Sequence, residues 1–475
     1  MFDAHLAFRA RQQPRAVAVI TDRRRVTYAQ FDADVTRFAA GLLDLGVRPG
    51  RAAALRMRNG YLQLVALMAA GRIGVATAPG ADQAADYAIS DIPEVMAPAV
   101  PPFETVRLSR DWVAAMFAAE PRPLPRPDFD PDALGRVMLS SGTTRKPRRV
   151  GLSWRRIEAG LQAAISVYAA GRVGVWIPMT GFESMLGHSQ TLAGFAVGAA
   201  VANGLSVREV AAGLEQYEPG LISMTPSQLR EVLQALPADA APRPGWLVIT
   251  AGSVLPVAVA REARMRIGPD VRIIYGATEA GLSATGWAAL LDETPNLLGY
   301  VPPGAEAEVV DDEGQPVPDG EPGELRVRGE RTASGYLDDP VATAERFRGG
   351  WYYTRDLVRR LPDGRLLMDG RVDDRMNLGG TKFMPQLLEN AAYECEGVID
   401  CAALAVPDDH GLDQAWLAVR AEPGFDRERL VAHLAGARDL PPPRLAWIDE
   451  IPRNAMGKVE RDRLRDAILA ALDRG

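Results

Sequence analysis

The chain carries the run SSGTTRKPRR at residues 140–149, which combines hydroxyl residues, one glycine and several cations in one short segment. Backbone N–H groups and hydroxyls in such a loop can donate to phosphate oxygens, and the cations offset the phosphate charge. It is not a Walker loop, because no second glycine precedes Lys146 at the required spacing. Taken alone, the run fits a polyphosphate site and a basic surface loop about equally well.

Three further motifs follow this run in a fixed order. They are YGATE at residues 275–279, YTRD at 353–356 followed by GRVDD at 370–374, and PRNAMGK at 452–458. The first of them comes directly after the β-branched segment 271–274, which reads as a strand. Open α/β sheets bind ligands at the carboxyl ends of their strands, so residues 275–279 are candidates for a ligand site.

Taken together, the four motifs resemble those of the acyl-adenylating superfamily, which includes acyl-CoA synthetases, peptide-synthetase adenylation domains and luciferases. The resemblance runs from residue 26 to the end of the chain. The first loop of that family reads roughly [ST]SGTTGxPKG, so Arg145 and Arg149 replace glycines here and Arg148 replaces a lysine. Arg355 replaces a further glycine. Since arginine lacks glycine's freedom at positive φ, we expect Arg145 to alter the loop's path and Arg149 to crowd a tight turn.

The predicted fold class is α/β, with a large N-terminal domain (residues 1–370) and a small, mobile α+β domain (residues 371–475). Strand-like and helix-like segments alternate as far as about residue 290, which favours parallel-type sheets covered by helices. Short strands and turns over residues 304–329 indicate a small, antiparallel, barrel-like subdomain. Residues 79–130 look shortened against the family, so we expect part of one sheet to be trimmed.

The resemblance implies ATP-dependent activation of a carboxylic acid as an acyl-adenylate, with pyrophosphate released and the acyl group passed to a thiol, usually that of CoA. The carboxylate and the α-phosphate repel each other, so the enzyme must supply cations and hold the reactants in line. In the family the PxxxxGK lysine, here Lys458, bridges both groups. Thr278 would contact the α-phosphate, and Glu279 would help to hold Mg²⁺, which prefers oxygen ligands.

The resemblance also assigns the nucleotide contacts. Tyr275 would stack on adenine, Asp356 would accept hydrogen bonds from the ribose hydroxyls, and Arg371 would add a second ribose contact. The full expected ATP-binding set is Ser140, Ser141, Gly142, Thr143, Thr144, Lys146, Gly252, Ser253, Tyr275, Gly276, Thr278, Asp356 and Arg371. Asp373 matches the hinge about which the small domain of family members rotates.

The acid pocket is expected within residues 178–187, the substrate-helix region of the family. The expected lining residues are Phe182, Ser184, Met185 and Gly187, which favour an apolar or aromatic acid. Methionine and phenylalanine here could equally be plain core. Peptide-synthetase domains use an aspartate in this region to hold an amino group, and Glu183 could imitate it. The direction of the Glu183 side chain discriminates between these alternatives.

Composition limits the other function classes. The net charge of −7 gives no nucleic-acid signature, and no apolar run is long enough to span a membrane. Two cysteines and four histidines suggest neither a disulfide scaffold nor a histidine-based metal cluster. No signal peptide is apparent at the N-terminus, so a cytoplasmic location is the simplest expectation.

Three alternatives remain open on the sequence. The acceptor could be a carrier protein or an amine instead of CoA. The chain could be an inactive nucleotide-binding relative, since three motif glycines are replaced by arginine. A luciferase-like reaction is the third, and no residue favours it specifically. The sequence leaves open which acid is bound and the oligomeric state.

Overall fold

The computed structural model describes residues 3–21, 24–79, 85–92, 104–125, 129–140, 147–169, 171, 173–374, 376–378, 381–407, 412–437, 440–454 and 458–472. Its α-helices are α1 (Asp3–Gln12), α2 (Tyr28–Asp44), α3 (Gly60–Arg72), α4 (Arg110–Ala118), α5 (Trp154–Ala164), α6 (Met185–Val197), α7 (Val207–Gln216), α8 (Pro226–Ala235), α9 (Val257–Arg266), α10 (Pro340–Arg346), α11 (Pro385–Tyr393), α12 (Arg427–Gly436) and α13 (Arg461–Leu472).

The strands in the first half of the chain are β1 (Val17–Ile20), β2 (Arg25–Thr27), β3 (Ala52–Arg56), β4 (Ala76–Pro79), β5 (Tyr87–Ser90), β6 (Glu104–Arg107), β7 (Leu134–Leu139), β8 (Arg149–Ser153), β9 (Val175–Pro178), β10 (Ala200–Ala202), β11 (Leu221–Met224) and β12 (Leu247–Thr250). Those in the second half are β13 (Asp270–Ala277), β14 (Gly281–Trp287), β15 (Leu297–Gly299), β16 (Ala305–Val310), β17 (Pro322–Gly329), β18 (Phe347–Arg348), β19 (Trp351–Arg360), β20 (Leu366–Arg371), β21 (Met376–Leu378), β22 (Thr381–Phe383), β23 (Val398–Pro407), β24 (Asp413–Ala421) and β25 (Arg444–Trp447).

Two large, mostly parallel sheets form the body of the molecule, as the alternating pattern predicts. The first has the strand order β14-β13-β12-β11-β9-β10-β1-β2, with antiparallel pairing only at its two edges. The second has the order β6-β5-β3-β4-β7-β8, and only β8 runs antiparallel. Strands β5 and β6 lie within the region expected to be trimmed, so the sheet continues through the described part of it.

Helix α2 illustrates how the sequence forms these layers. Thr27 begins it with a capping box, in which Thr27 and Gln30 each accept a hydrogen bond from the other's backbone N–H. Its apolar residues Phe31, Val35 and Phe38 recur at helical spacing and are fully buried. Each such side chain contributes roughly 1.5–3 kcal/mol of burial free energy, so this face fixes the helix onto the core.

The barrel-like subdomain is an antiparallel sheet in the order β15-β20-β19-β17-β16, with β18 added beside β19. Its apolar side chains form a separate cluster that includes Leu325, Val327 and Val358. The predicted antiparallel subdomain is therefore present, and it extends beyond residues 304–329 to the end of β20. Strand β19 carries Asp356 and β20 ends at Arg371, which lie opposite each other in register.

Residues beyond β20 pack around two apolar clusters of their own, on either side of the β23-β24-β25 sheet. Both cysteines, Cys395 and Cys401, are buried and free. Polar contacts between described residues of this part and the rest of the molecule include the following two. Asn390 Nδ2 donates to Asn296 Oδ1 over 2.9 Å, and the Arg230 guanidinium lies 4.5 Å from the ring centroid of Tyr393.

Arg355 adopts a backbone conformation that normally requires glycine. Its φ is +64°, in the left-handed region, and its N–H donates to Glu324 Oε1 over 2.9 Å. Arg355 therefore adopts the kind of conformation that glycine allows, although the position holds an arginine. An L side chain in this region costs roughly 1–2 kcal/mol, so the position stores strain immediately before Asp356.

We expect Arg355→Gly to raise the free energy of unfolding by up to about 1 kcal/mol, because it removes this strain while adding some backbone entropy to the unfolded chain. Denaturant midpoints of the variant and the parent protein measure the change. Arg355→Ala is the matched control, since it removes the same side chain but keeps the strain. Equal gains in both variants would contradict the explanation.

Candidate active site

A cavity of about 530 Å³ lies where the first sheet, the barrel and the last part of the chain meet. It is lined by residues of every motif that the sequence singled out: Ser140, Gly252, Ser253, Tyr275, Gly276, Thr278, Glu279, Asp356, Arg371 and Lys458. These residues span more than 300 positions of the chain, and the fold brings them to one place. The arrangement can hold a nucleotide and a second ligand together.

Two neighbouring parallel strands, β12 and β13, supply one wall at their carboxyl ends. Gly252 follows β12 with a φ of +101°, which glycine adopts without strain. Gly276 lies where β13 meets β14, and a Cβ at this position would stand 2.2 Å from the Gly281 carbonyl oxygen. Both glycines therefore have a structural reason, and Thr278, in the turn between β13 and β14, lines the cavity.

Asp356 is buried on β19 and held from two sides. The Tyr275 hydroxyl donates to Oδ2 over 2.5 Å, and an Arg371 nitrogen lies 3.1 Å from Oδ1. Burial, followed by the negative Asp356, raises the pKa of Tyr275, so this tyrosine stays a neutral donor. Oδ1 is buried and makes no aligned hydrogen bond, so it has acceptor capacity for a ribose hydroxyl. This unsatisfied oxygen fits a bound nucleotide.

Glu279 is also buried, and its Oε1 accepts a hydrogen bond from the Tyr336 hydroxyl over 2.9 Å. Within the part of the chain that the structure describes, no group of three or more acidic, histidine or cysteine side chains could hold a metal ion. Mg²⁺ is typically bound by one or two carboxylates together with substrate phosphates, and a single buried glutamate fits that pattern.

Lys458 reaches the cavity from a tight loop of the small C-terminal part. Its backbone N–H donates to Asn454 Oδ1 over 3.1 Å, and the Asn454 N–H donates to the Lys458 carbonyl over 2.9 Å. Burial, followed by the positive Arg371, lowers the pKa of Lys458, while the Asp356 and Glu279 carboxylates act in the opposite direction. An anionic ligand beside the ammonium would stabilise its charged form.

The loop SSGTTRKPRR is closed at its base. The Ser140 N–H donates to the Arg148 carbonyl over 2.8 Å, and the Arg148 N–H donates to Ser140 Oγ over 3.1 Å. The expected phosphate contacts Ser141, Gly142, Thr143, Thr144 and Lys146 lie outside the described residues, as does Arg145. Ser140 and Arg148, which form this closing pair, both lie on the cavity wall. They mark the points at which the loop leaves the sheet and returns to it.

The last two residues of the loop, Arg148 and Arg149, form ion pairs, and Arg149 does not crowd a turn as expected. Arg149 begins strand β8, so there is no tight turn for it to crowd, and its Nε lies 3.2 Å from Asp338 Oδ2. Arg148 Nε donates to Asp339 Oδ2 over 3.0 Å, while its guanidinium lies 5.3 Å from the Tyr336 ring centroid. Both cations thus tie the loop to the start of α10.

The acid end of the cavity is lined by α5 and α6, including the expected Ser184 and Met185. Ser184 caps α6 by accepting a hydrogen bond from the Gly187 N–H over 2.9 Å. The expected Phe182 and Gly187 are not on the wall. Phe182 packs into the main apolar core, and a Cβ at Gly187 would stand 1.9 Å from the Gly181 carbonyl oxygen, so this glycine serves close backbone packing.

The structure adds residues that sequence reasoning missed. His188, Tyr168 and Arg331 are buried and line the same end of the cavity. In the sequence, the position of His188 directly after the expected pocket was the only sign that any of these three residues lines the cavity. Glu183 also lines the cavity with its side chain 56% exposed, and its Oε2 lies 3.8 Å from the buried Arg136.

Asp373, the expected hinge residue, lies in a short 3-10 turn (Val372–Asp374) between β20 and β21. The side chain of the next residue, Asp374, pairs with Arg461 of α13 at 2.7 Å. Among the described residues, no helix is long and apolar enough to cross a membrane.

Comparison with known proteins gives relatives over nearly the whole chain. A 2-hydroxy-7-methoxy-5-methyl-1-naphthoate–CoA ligase of Streptomyces carzinostaticus is 28% identical, covering 98% of this chain and 92% of that protein. A salicyl-AMP ligase / salicyl-S-ArCP synthetase of Mycobacterium tuberculosis is 26% identical, covering 97% and 89%. The solved O-succinylbenzoate coenzyme A synthetase of Bacillus subtilis, in complex with AMP, shares the fold with a TM-score of 0.83 at 21% identity, over 98% of each chain.

A family model described as AMP-binding enzyme matches residues 6–337, which is well over half of the chain. The match includes the first two motifs and the two large sheets, and the conserved architecture continues through the small C-terminal part in the solved structure. The chain belongs to the family of AMP-binding enzymes.

Proposed function

We propose that this protein activates a carboxylic acid with ATP, releases pyrophosphate, and transfers the acyl group from the acyl-adenylate to the thiol of CoA. The observation that carries the proposal is the convergence of Lys458, Glu279 and Asp356 in one cavity with an apolar pocket beside it. Family membership and the acid–CoA ligases among the relatives support it.

The first half-reaction follows from the charges of the site. A carboxylate oxygen of the acid attacks the α-phosphorus of ATP, the bond from that phosphorus to the pyrophosphate oxygen breaks, and pyrophosphate leaves. Lys458 offsets the negative charge of both reactants, while Asp356 and Arg371 orient the ribose. Glu279 would hold Mg²⁺, which neutralises phosphate charge when bound.

We assign residues 1–370 to ATP and acid binding, and residues 371–475 to a lid that carries Lys458, with Asp373 as the hinge. The separate apolar clusters beyond β20 support this division. After adenylation, rotation about the hinge removes Lys458 from the cavity and opens the adenylate to the acceptor thiol. Hinges of this kind are a few positions that absorb large φ/ψ changes.

The acid is apolar or aromatic in its body. Ile157, Leu161 and Leu192 line the pocket, and the charged side chains beside them on the wall include Arg156 of α5. Glu183, just before α6, also lines the cavity, and its exposure favours a second candidate, an acid that carries an amino group. Arg136 lies behind Glu183 and offsets part of its charge, which weakens that candidate.

ATP–pyrophosphate exchange with a panel of aryl, alkyl and amino acids tests the proposal. We expect exchange with aryl acids in the presence of Mg²⁺. CoA and an acylatable carrier protein are then compared as acceptors, because one relative is named as a salicyl-S-ArCP synthetase. Nucleotide binding without exchange for any acid would instead indicate an inactive relative. Faster acyl transfer to the carrier protein than to CoA would show that a carrier protein, and not CoA, is the preferred acceptor.

A further inference from the structure

Helix α5 does not end normally but continues as a π-helical segment (Ile165–Ala169). Such segments are rare and occur frequently at functional sites, because the wider turn redirects the side chains that follow. Tyr168 lies in this segment, is only 8% exposed, and lines the acid end of the cavity. The segment therefore places Tyr168 on the cavity wall, with its hydroxyl bonded to Gln190, which is buried behind that wall.

The partner of Tyr168 is Gln190 of α6, which is fully buried. Their side chains are 2.6 Å apart, from Gln190 Nε2 to the tyrosine oxygen, and Gln190 Oε1 has no hydrogen-bond partner. In this orientation the Tyr168 proton has no acceptor within the described residues. With the amide turned over, Tyr168 would donate to Oε1, and the amide N–H groups would lack acceptors instead. Either way the pair retains an unused donor.

His188 adds a second polar group to the same wall. It is 3% exposed, and none of the described residues forms a hydrogen bond with its ring. Burial, followed by the positive Arg136, holds the pKa of His188 well below its ordinary value, so the imidazole is neutral and offers one donor and one acceptor.

These polar groups stand among Ile157, Leu161 and Leu192, which have no hydrogen-bonding capacity. A buried donor without a partner costs free energy, and a ligand that supplies the partner recovers it. None of the three groups carries a charge with which to neutralise an ion. The nearby cation Arg331 donates from its terminal nitrogens to the carbonyl oxygens of Leu282 and Pro303, while its buried Nε has no hydrogen-bond partner among the described residues.

We propose that the Tyr168–Gln190 pair and His188 select an aromatic acid whose ring carries an uncharged hydrogen-bonding group, a hydroxyl above all. The inference rests on the proposed function, since it names the class of acid for the same pocket. It makes Tyr168 a specificity-determining residue for the adenylation reaction.

The test compares benzoate and 1-naphthoate with their ring-hydroxylated counterparts in pyrophosphate exchange. We expect kcat/KM to favour at least one hydroxylated acid by about tenfold or more, since a site built to bond a hydroxyl rejects the analogue that lacks it. Tyr168→Phe should reduce this preference at least about fivefold, mainly through the KM of the hydroxylated acid. Tyr28→Phe is the matched control, because this buried hydroxyl donates to the Ala199 carbonyl over 2.7 Å, away from the cavity.

Binding measurements separate the inference from the reaction. Sulfamoyl-adenosine analogues of the benzoyl and hydroxybenzoyl adenylates, titrated by calorimetry, report the preference even where no acid supports exchange. Tighter binding of the hydroxylated analogue, lost in Tyr168→Phe, supports the inference. Equal binding of the two, an unchanged preference in Tyr168→Phe, or a stronger preference for a benzene dicarboxylate would overturn it.

Discussion

Replacing Lys458 with alanine should lower the rate of pyrophosphate exchange by about 10²–10³-fold, the loss typical when one donor to a developing oxyanion is removed. The Lys458 ammonium lies on the cavity wall, where the Asp356 and Glu279 carboxylates act on it. ATP affinity should change far less, because most of the expected nucleotide contacts, including Gly252, Tyr275 and Asp356, lie within residues 1–370. Exchange kinetics and calorimetric ATP binding measure the two effects.

The control for this variant is Arg463→Ala, which removes an exposed cation of the same domain. It should leave the exchange rate unchanged. Transfer from a preformed acyl-adenylate should also survive in Lys458→Ala, since the lysine has left the cavity by that stage. Exchange at rates near those of the parent enzyme would exclude the proposed bridging role.

Asp373→Pro should separate the two half-reactions, preserving adenylation while transfer to the thiol falls by at least about tenfold. Proline fixes φ near −65°, which is compatible with the first turn of the 3-10 segment in which Asp373 lies. A rotated arrangement requires different backbone angles at the hinge, and proline opposes them. Pyrophosphate exchange and acyl-CoA formation, measured side by side, report the two steps.

A control for the hinge variant is Asp363→Pro, in an exposed turn of the barrel between β19 and β20. This control tests whether a new proline close to the proposed domain boundary lowers stability or activity in general. If Asp373→Pro lowers exchange and transfer equally while the control does not, the residue supports the fold rather than a rotation. If neither step changes, the enzyme works without rotation of the small domain.

Much of the fold and the meeting of the motifs could be predicted from the sequence. Helical spacing in α2 and strand–helix alternation are local signals, and they report burial directly. The strand-end rule placed residues 275–279 at a ligand site, and in the structure β13 runs on through Tyr275 to Ala277. The place of Gly252 came from the family resemblance. The order of the motifs along the chain was enough to group them into one expected site, because each motif needs a particular local backbone conformation.

The acid pocket could not be predicted in the same way. Tyr168 faces the cavity through a π-helical turn, which breaks the 3.6-residue period on which sequence reasoning relies. Phe182 and Gly187 were assigned to the pocket only because they lie within residues 178–187. In the structure Phe182 packs into the apolar core, and Gly187 packs closely against the backbone of Gly181. The pairing of Arg149 with Asp338 joins residues nearly 200 positions apart, which no local pattern reports.

The contacts between the lid and the rest of the molecule bear on how readily the enzyme changes state. One is a hydrogen bond between neutral amides, Asn390 to Asn296, and another is the stacking of Arg230 on Tyr393. Each is typically worth about 1 kcal/mol or less, so neither contact alone holds the proposed lid firmly in place. A ligand shifts an equilibrium between two arrangements by its differential affinity for them. If the lid rotates as proposed, contacts of this strength leave the bound nucleotide a large share in deciding which arrangement is populated.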